Sequence, residues 1–401
     1  MKWRLVIIFL VFLIKTVDRA HGSCSLSLKD DFGSPSPVFL YNGGLLVPKT
    51  ADGILLRRGE TLQVACPGNR KFVNLGNDTK VTDVVNIKCV SDSTFRSNKP
   101  QWVGRLKEVH CNAPPWSTLE KTTTICGGGH LIYRVGYKIQ DVFFTLYEAC
   151  FDSALLSTSY VKHELSNTST YSQQSARPKF IEGGVFGKVR MSEVYKEAHQ
   201  RKRINHLMGP GMDSQYITKK QQLTRGHLAA KADFSMAALQ RATFHYINTA
   251  PQWRRGNSGD WAALEEALRR RLKTYKSSVV VYTGTHGVST LMDSGSTPQE
   301  LFLHTDENNN NILPVPLYFY KLVYDPHSKV AAAFISINLP HYNSNAIDKL
   351  SFCTDICEGD QRYSWLRWRA NDATHSFCCE YNQFVREVDS LPELDVRGLF
   401  Y

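Results

Sequence analysis

The stretch LTRGHLAAKADF, residues 223–234, sets Arg225 and His227 on either side of Gly226, and thirty residues after the histidine NSGDWAALE, residues 257–265, begins with Asn257 and ends on Glu265. These are the residue types that hydrolysis of a phosphodiester requires. An imidazole with a pKa near neutrality can activate water, a fixed guanidinium can hold a phosphate, and a cation can absorb charge building on the phosphate and the leaving oxygen. His227 suits the first task and Arg225 the second. Asn257 suits the third, because Mg²⁺ gives up its water shell reluctantly and needs only one or two protein oxygens. Glu265 lies too far along to share that inner shell and would orient the retained waters. Taken singly, each residue has a plainer role: a structural histidine, a surface arginine, a helix N-cap at Asn257, a solvated glutamate. The combination and its spacing carry the chemistry.

In an extended strand, residues two apart point to one face, so Arg225 and His227 can reach a single phosphate. Gly226 between them leaves room for backbone or substrate to come close. Residues 258–275 place Trp261, Leu264, Leu268 and Leu272 at spacings of three and four, which predicts an amphipathic helix with Asn257 at its start. Glu265 then falls two turns further along the same face. Upstream, MSEVYKEAHQRKRINHLMG has helical spacing, with Ser192 as its cap and Gly209 as its stop. LIYRVGY and SSVVVYTG read as strands, and LYFYKLVYD with KVAAAFISIN as a hairpin. The polar stretch SNTSTYSQQSARP, residues 166–178, reads as a mobile loop. Glycines 127–129 are followed by no P-loop lysine and read as a turn.

Before residue 125 the pattern differs: short apolar runs (PVFLY, GLLVP, TLQVAC, VVNIKC) alternate with turn residues, among them Asn42-Gly43, a strong hairpin signal. The expected organisation is α+β, with a signal peptide at 1–22, a small disulfide-rich β domain at 23–124, and a domain of mixed sheets and helices at 125–401. The leader reading rests on Lys2 and Arg4, an apolar run from Leu5 to Ile14 too short to span a bilayer, and small residues at Ala20 and Gly22. It implies secretion, with no membrane association after cleavage.

Ten cysteines suit an oxidising compartment and five bridges. They fall into an N-terminal six (Cys24, Cys66, Cys89, Cys111, Cys126, Cys150) and a C-terminal four (Cys353, Cys357, Cys378, Cys379), and the bridges are expected to respect that division. Bridging the neighbours Cys378 and Cys379 would strain the backbone, so each should pair with Cys353 or Cys357. A zinc site built from those four is the weaker alternative, since their spacing is not a paired C-x-x-C. Asn77 and Asn167 head glycosylation triplets. The formal net charge is +11. The leader's four basic residues against one acidic residue take three of those, leaving +8, an excess that suits a polyanionic partner without choosing among nucleic acid, glycosaminoglycan and a membrane surface.

With TRGH at 224–227, NTAPQ at 248–252 and NSGDWAALE at 257–265, the sequence resembles the DNA/RNA non-specific endonucleases, the ββα-metal nucleases that include the Serratia nuclease and endonuclease G. The family pattern is D-R-G-H, an asparagine in N-x-x-P-Q, then a metal-binding asparagine and a glutamate. The likeness runs over about 125–401, and YTGTHG, VPLYFYKLVYD and FCCEYNQF are most similar to a secreted insect branch of gut and salivary nucleases. The resemblance implies a Mg²⁺-dependent enzyme, with Mn²⁺ as the substitute metal, acting on DNA and RNA to leave 5′-phosphate and 3′-hydroxyl ends. It implies His227 as general base, Arg225 as phosphate clamp, Asn257 as metal ligand, and Glu265 and Asn248 in the reacting set. A second phosphate-binding arginine from upstream maps onto Arg203, with Arg201 as its rival. Two positions depart from the pattern: Thr224 stands where the family has Asp, and Ala230 where many members have proline. The change at Thr224 leaves open a binder on the nuclease fold that hydrolyses slowly or not at all.

Overall fold

The computed structural model describes residues 22–48, 50, 53–168, 173–275, 277–341, 349–368 and 375–401, with the backbone alone at 78–81. The leader expected at 1–22 therefore lies almost wholly outside the described residues. The chain divides into two compact units between Pro115 and Trp116. The break comes earlier than the expected 124/125 because Thr118–Ile125 is not the end of the N-terminal domain. It is an edge strand of the second unit's sheet.

In the first unit the strands Gln101–Arg105, Thr94–Asn98, Val84–Ser91, Thr61–Ala65, Val38–Tyr41 and Gly44–Leu45 follow one another across one antiparallel sheet. Its strands alternate: Val85, Ile87 and Cys89 are buried while Asn86 and Lys88 face out. One face therefore packs and the other is wet. Asn42 and Gly43 both take positive φ, 51° and 78°, which is the backbone a two-residue hairpin turn needs and which Asn-Gly tolerates. Bridges Cys24–Cys89 and Cys66–Cys111 staple the unit.

The second unit is built on a large sheet in which Thr118–Ile125, Leu131–Ile139, Val142–Asp152, Ser157–Leu165, Val279–Val288, Pro316–Asp325, Val330–Ile337 and Ser376–Cys379 are successive antiparallel neighbours. The central hairpin PLYFYKLVYD/VAAAFISI is apolar at nearly every position because both of its faces are covered. On one face Tyr318, Tyr320 and Leu322 join Tyr160, Tyr282, Ile335, Phe377 and Phe384. On the other, Phe319 meets Trp261 edge-on at 5.6 Å, which seats helix Asp260–Thr274 against the sheet through Trp261, Leu264, Leu268 and Leu272. That helix is what the sheet positions for the site. Cys126–Cys150 holds two neighbouring strands together, and Cys353–Cys379 with Cys357–Cys378 pin the C-terminal segment. The expected division of the cysteines and the separate pairing of Cys378 and Cys379 both hold. With all four C-terminal thiols in disulfides, none is free as a thiolate for zinc.

Candidate active site

Leu223–His227 and Thr249–Trp253 form a two-stranded antiparallel ribbon in which Arg225 lies opposite Pro251, and His227 opposite Thr249. Arg225 and His227 thus share one face, as their spacing requires. Gly226 is glycine for a local reason: a Cβ there would come within 2.8 Å of the Gln252 Cβ. The close neighbour is a buried side chain of the partner strand, rather than substrate or backbone.

His227 packs against two aromatic rings, Phe180 at 5.2 Å and Phe244 at 5.0 Å, and its Nε2 is buried with no hydrogen-bond partner among the described residues. Burial, followed by the charges of Arg177 and Lys231, presses its pKa down to about 3. The imidazole is therefore neutral at every pH at which the fold would be used, with one ring nitrogen able to accept a proton. The Arg225 guanidinium sits over Phe180, Tyr195 and Tyr246 at 5.1–5.6 Å, and its Nε donates to the Tyr246 hydroxyl at 3.2 Å. Phe180 touches both Arg225 and His227 and locks them in register.

Asn257 is tied to the first turn of this ribbon. Its Nδ2 donates to Thr224 Oγ1 at 2.9 Å, and that hydroxyl donates to the Gln252 carbonyl at 2.9 Å. Threonine thus does with a neutral hydroxyl part of what a carboxylate could do at this position: it holds the amide by its nitrogen. Among the described residues Asn257 Oδ1 accepts no hydrogen bond. Gln252, directly across from Thr224, also has a buried Oε1 without a partner. An unpaired amide oxygen is a hard, neutral donor that suits a cation keeping several of its waters, so Asn257 fits Mg²⁺, whereas the Gln252 oxygen is packed against Gly226 and shielded from solvent. Supporting residues of this sort are worth about 10–100-fold in metal affinity. Thr224→Val is expected to weaken Mg²⁺ activation by that factor in a metal titration of activity, and unchanged metal dependence would remove Thr224 from the site.

The helix expected from 258 to 275 is interrupted. Arg254–Ser258 forms one short helix, Gly259 breaks it at ψ −116°, and Asp260–Thr274 forms the longer one. Asn257 and Glu265 therefore sit on two helices instead of along one face. Glu265 lies among Lys321, Asp233 and Arg269. Asp233 accepts from Arg269 at 2.8 Å and lies 3.0 Å from His163 Nε2, which ties the turn after His227 to the helix that carries Glu265. Although burial works against it, the His163 hydrogen bond and the Arg269 charge hold the Asp233 carboxyl well below the usual carboxylate range.

Burial pushes the Glu265 carboxyl up to about 7, against the pull of Lys321. Its folded-state value exceeds the unfolded one, so the group supports the fold when protonated and that support is lost as pH rises through about 7. Glu265→Gln is expected to raise the melting temperature more at pH 8 than at pH 5, as measured by thermal unfolding. An equal shift at both pH values would mean that the carboxylate is not strained by burial.

Two expected site residues prove to have other work. Asn248 is fully buried, and its amide is spent on the backbone: Oδ1 accepts from Ala229 N at 2.8 Å, and Nδ2 donates to the carbonyls of Ala229 and Thr243 at 3.0 and 2.9 Å. It fixes the chain two residues past His227, and so positions the base without facing the site. Arg203 is buried against the Phe302–Pro314 hairpin, donating to the Phe302 carbonyl and to Asn311. Its rival Arg201 is committed to Glu197 and Asp213. Neither reaches His227. The cations whose charge acts on it are Arg177 and Lys231, which stand outside the motif positions. Lys231 donates to the Ser175 carbonyl at 2.8 Å, and the segment bearing Arg177 is anchored by Gln173 and Ser175 to Gln240. The second half of the stretch expected to be a mobile loop is thus pinned, while 169–172 lie outside the described residues. Among the described residues no ion pair joins Arg177, Lys231 or Arg225 to a carboxylate.

The family model for DNA/RNA non-specific endonucleases matches residues 128–383. A salivary endonuclease of Lutzomyia longipalpis is 29% identical over 91% of this chain and 83% of its own length. The salivary protein Tsal2A of Glossina morsitans morsitans is 25% identical over 94% of each chain. A chain from the crystal structure of the EndoG/EndoGI complex aligns at 17% identity with a TM-score of 0.37, covering 63% of this chain and 87% of that one.

Proposed function

Because this chain belongs to the DNA/RNA non-specific endonuclease family, we propose that it is a secreted, metal-dependent endonuclease that hydrolyses DNA and RNA with little sequence preference. The observation that carries the reading is the grouping of three cations, Arg177, Arg225 and Lys231, which among the described residues pair with no carboxylate, around a neutral, half-buried histidine. Such a grouping is a site for an anion, and phosphate contacts bind without reading bases. His227 accepts a proton from the water that attacks phosphorus. Arg225, with Arg177 and Lys231, holds the phosphate as charge builds on its oxygens. The bond to the 3′ oxygen breaks, and that oxygen takes a proton from solvent, leaving a 5′-phosphate and a 3′-hydroxyl. Asn257 Oδ1 would hold the metal, with Thr224 beside it, and a bound Mg²⁺ would supply charge stabilisation at the leaving oxygen. Glu265 would steady the hydration around that ion from the far side of Gly259.

An imidazole with so low a pKa is a weak base. A phosphodiester between Arg177 and Lys231 screens the two charges that add to the effect of burial, so its basicity rises in part as the substrate binds, while the larger contribution, burial, stays. Secretion accords with five disulfides and with salivary relatives. The second reading, a nucleic-acid binder with little turnover, is favoured by Thr224 alone, which lacks the family's negative charge. Incubation with supercoiled plasmid and with double-stranded RNA, in Mg²⁺ or in EDTA, separates the two. Fragmentation that needs Mg²⁺ supports the enzyme, whereas retardation on a gel without fragmentation supports the binder.

A further inference from the structure

A cavity of about 270 Å³ opens immediately beside the Arg225 cage. Tyr195 and Tyr246 belong to both: each carries the Arg225 guanidinium over its ring, and each lines the cavity. Thr249 and Pro251 also line it, and these are the cross-strand partners of His227 and Arg225. Directly opposed strand residues lie only about 4.5–5.5 Å apart, so the cavity begins within one nucleotide's reach of a phosphate held at Arg225. Its lining contains no lysine or arginine; it carries the carboxylates of Asp152 and Asp389, and its two histidines, His130 and His286, each lie against a carboxylate, Asp152 and Glu387. With no fixed cation to hold a phosphate, the cavity suits a neutral group. Phe186, Tyr195 and Tyr246 present apolar ring surface at the Arg225 end, with Tyr195 and Tyr246 stacked at 6.0 Å. At the wall, Ser159 is the extra residue where the pairing of Val142–Asp152 with Ser157–Leu165 slips by one position. A bulge of this kind re-aims a side chain.

We infer that this cavity is a nucleobase subsite, which takes the base of a nucleotide adjoining the scissile phosphate; the inference rests on the proposed nuclease reading for the placement of that phosphate. The size sets the class of substrate. The cavity falls just below the roughly 300–1,000 Å³ of pockets for drug-sized ligands, so it has room for one base with its sugar and none for a base pair. A base must leave its stack to enter, which favours single-stranded or locally unpaired nucleic acid over intact duplex. Stacking on tyrosine and phenylalanine is tolerant of sequence, since every base has a π-face. The subsite therefore selects strandedness without selecting sequence.

The test uses the full chain, a fluorescein-labelled single-stranded DNA hexamer, the same hexamer with tetrahydrofuran abasic residues, and the hexamer paired in a duplex. Affinities are read by anisotropy in EDTA, and cleavage in Mg²⁺. The parent is expected to bind the base-bearing single strand about 10-fold or more tightly than the abasic one, the worth of a stacked base, and more tightly than the duplex. Ser159→Phe and Thr285→Phe, which fill the cavity from two different strands, are expected to erase the difference and to leave abasic binding as in the parent. Equal binding of base-bearing and abasic strands by the parent overturns the subsite without reference to either variant, as does a difference that survives both substitutions. If the binding difference stands but nothing is cleaved in Mg²⁺, the nuclease reading fails and the subsite remains.

Discussion

His227→Ala is expected to lower cleavage by roughly 10²–10⁴-fold while affinity for nucleic acid stays nearly unchanged. The substitution removes the one group placed to accept the water's proton and leaves Arg225, Arg177 and Lys231 to hold the phosphate. Phe180 and Phe244, which pack against the imidazole, lose a neighbour but no hydrogen bond, so the fold should tolerate the change. Asn257→Ala should also suppress cleavage, but for a different reason. It deletes the amide oxygen proposed to hold the metal, so part of the loss should return at high Mg²⁺. Single-turnover rates at several Mg²⁺ concentrations distinguish the two: metal rescues Asn257→Ala and not His227→Ala. If both variants cleave like the parent, the site assignment is wrong.

Salt is expected to have an effect of similar size on binding. For a footprint of six to ten phosphates, release of counterions costs about 10³–10⁵ in affinity between 50 and 200 mM salt. The cations around His227 and the net charge of +8 that remains, from +11, once the leader is set aside supply the contacts. Removing one phosphate contact should lower the salt slope by about one, so Arg177→Ala and Lys231→Ala should each flatten the dependence, and Arg203→Ala should not, because Arg203 is spent on Phe302 and Asn311. Affinity that ignores salt would rule out binding by phosphate contacts.

The contrast between Arg177 and Arg203 shows what the linear chain could and could not convey. The placement of Arg225 and His227 on one face follows from strand alternation alone, and the structure has them so. The apolar period of Trp261, Leu264, Leu268 and Leu272 likewise identified the helix that seats on the sheet. It could not reveal the break at Gly259, because all four of those residues lie after it and the polar run before it carries no period. Arg177 is not legible because it lies fifty residues before His227 in a polar stretch with no periodicity, and its nearness depends on the Gln173–Gln240 and Ser175–Gln240 bonds. Arg203 sits on a recognisable helix, but that helix turns it toward the hairpin at Phe302. Asn248 carries a motif position, yet whether an amide serves substrate or backbone depends on which groups lie unpaired around it, and here they are the carbonyls of Ala229 and Thr243. Lys231 was within view, four residues past His227. The absence of any nearby carboxylate partner, which makes it useful to a phosphate, is a property of the fold.

The most direct measurement of the central claim is cleavage of a short RNA in water enriched in ¹⁸O, with Mg²⁺ present and the products read by mass spectrometry. Attack by a water that His227 activates should place one ¹⁸O in each new 5′-phosphate and leave the matching 3′-hydroxyl unlabelled. A 2′,3′-cyclic phosphate would contradict it, since the histidine would then be activating the ribose hydroxyl. Intact RNA that remains tightly bound would contradict it too, and would make this chain a binder on the nuclease fold.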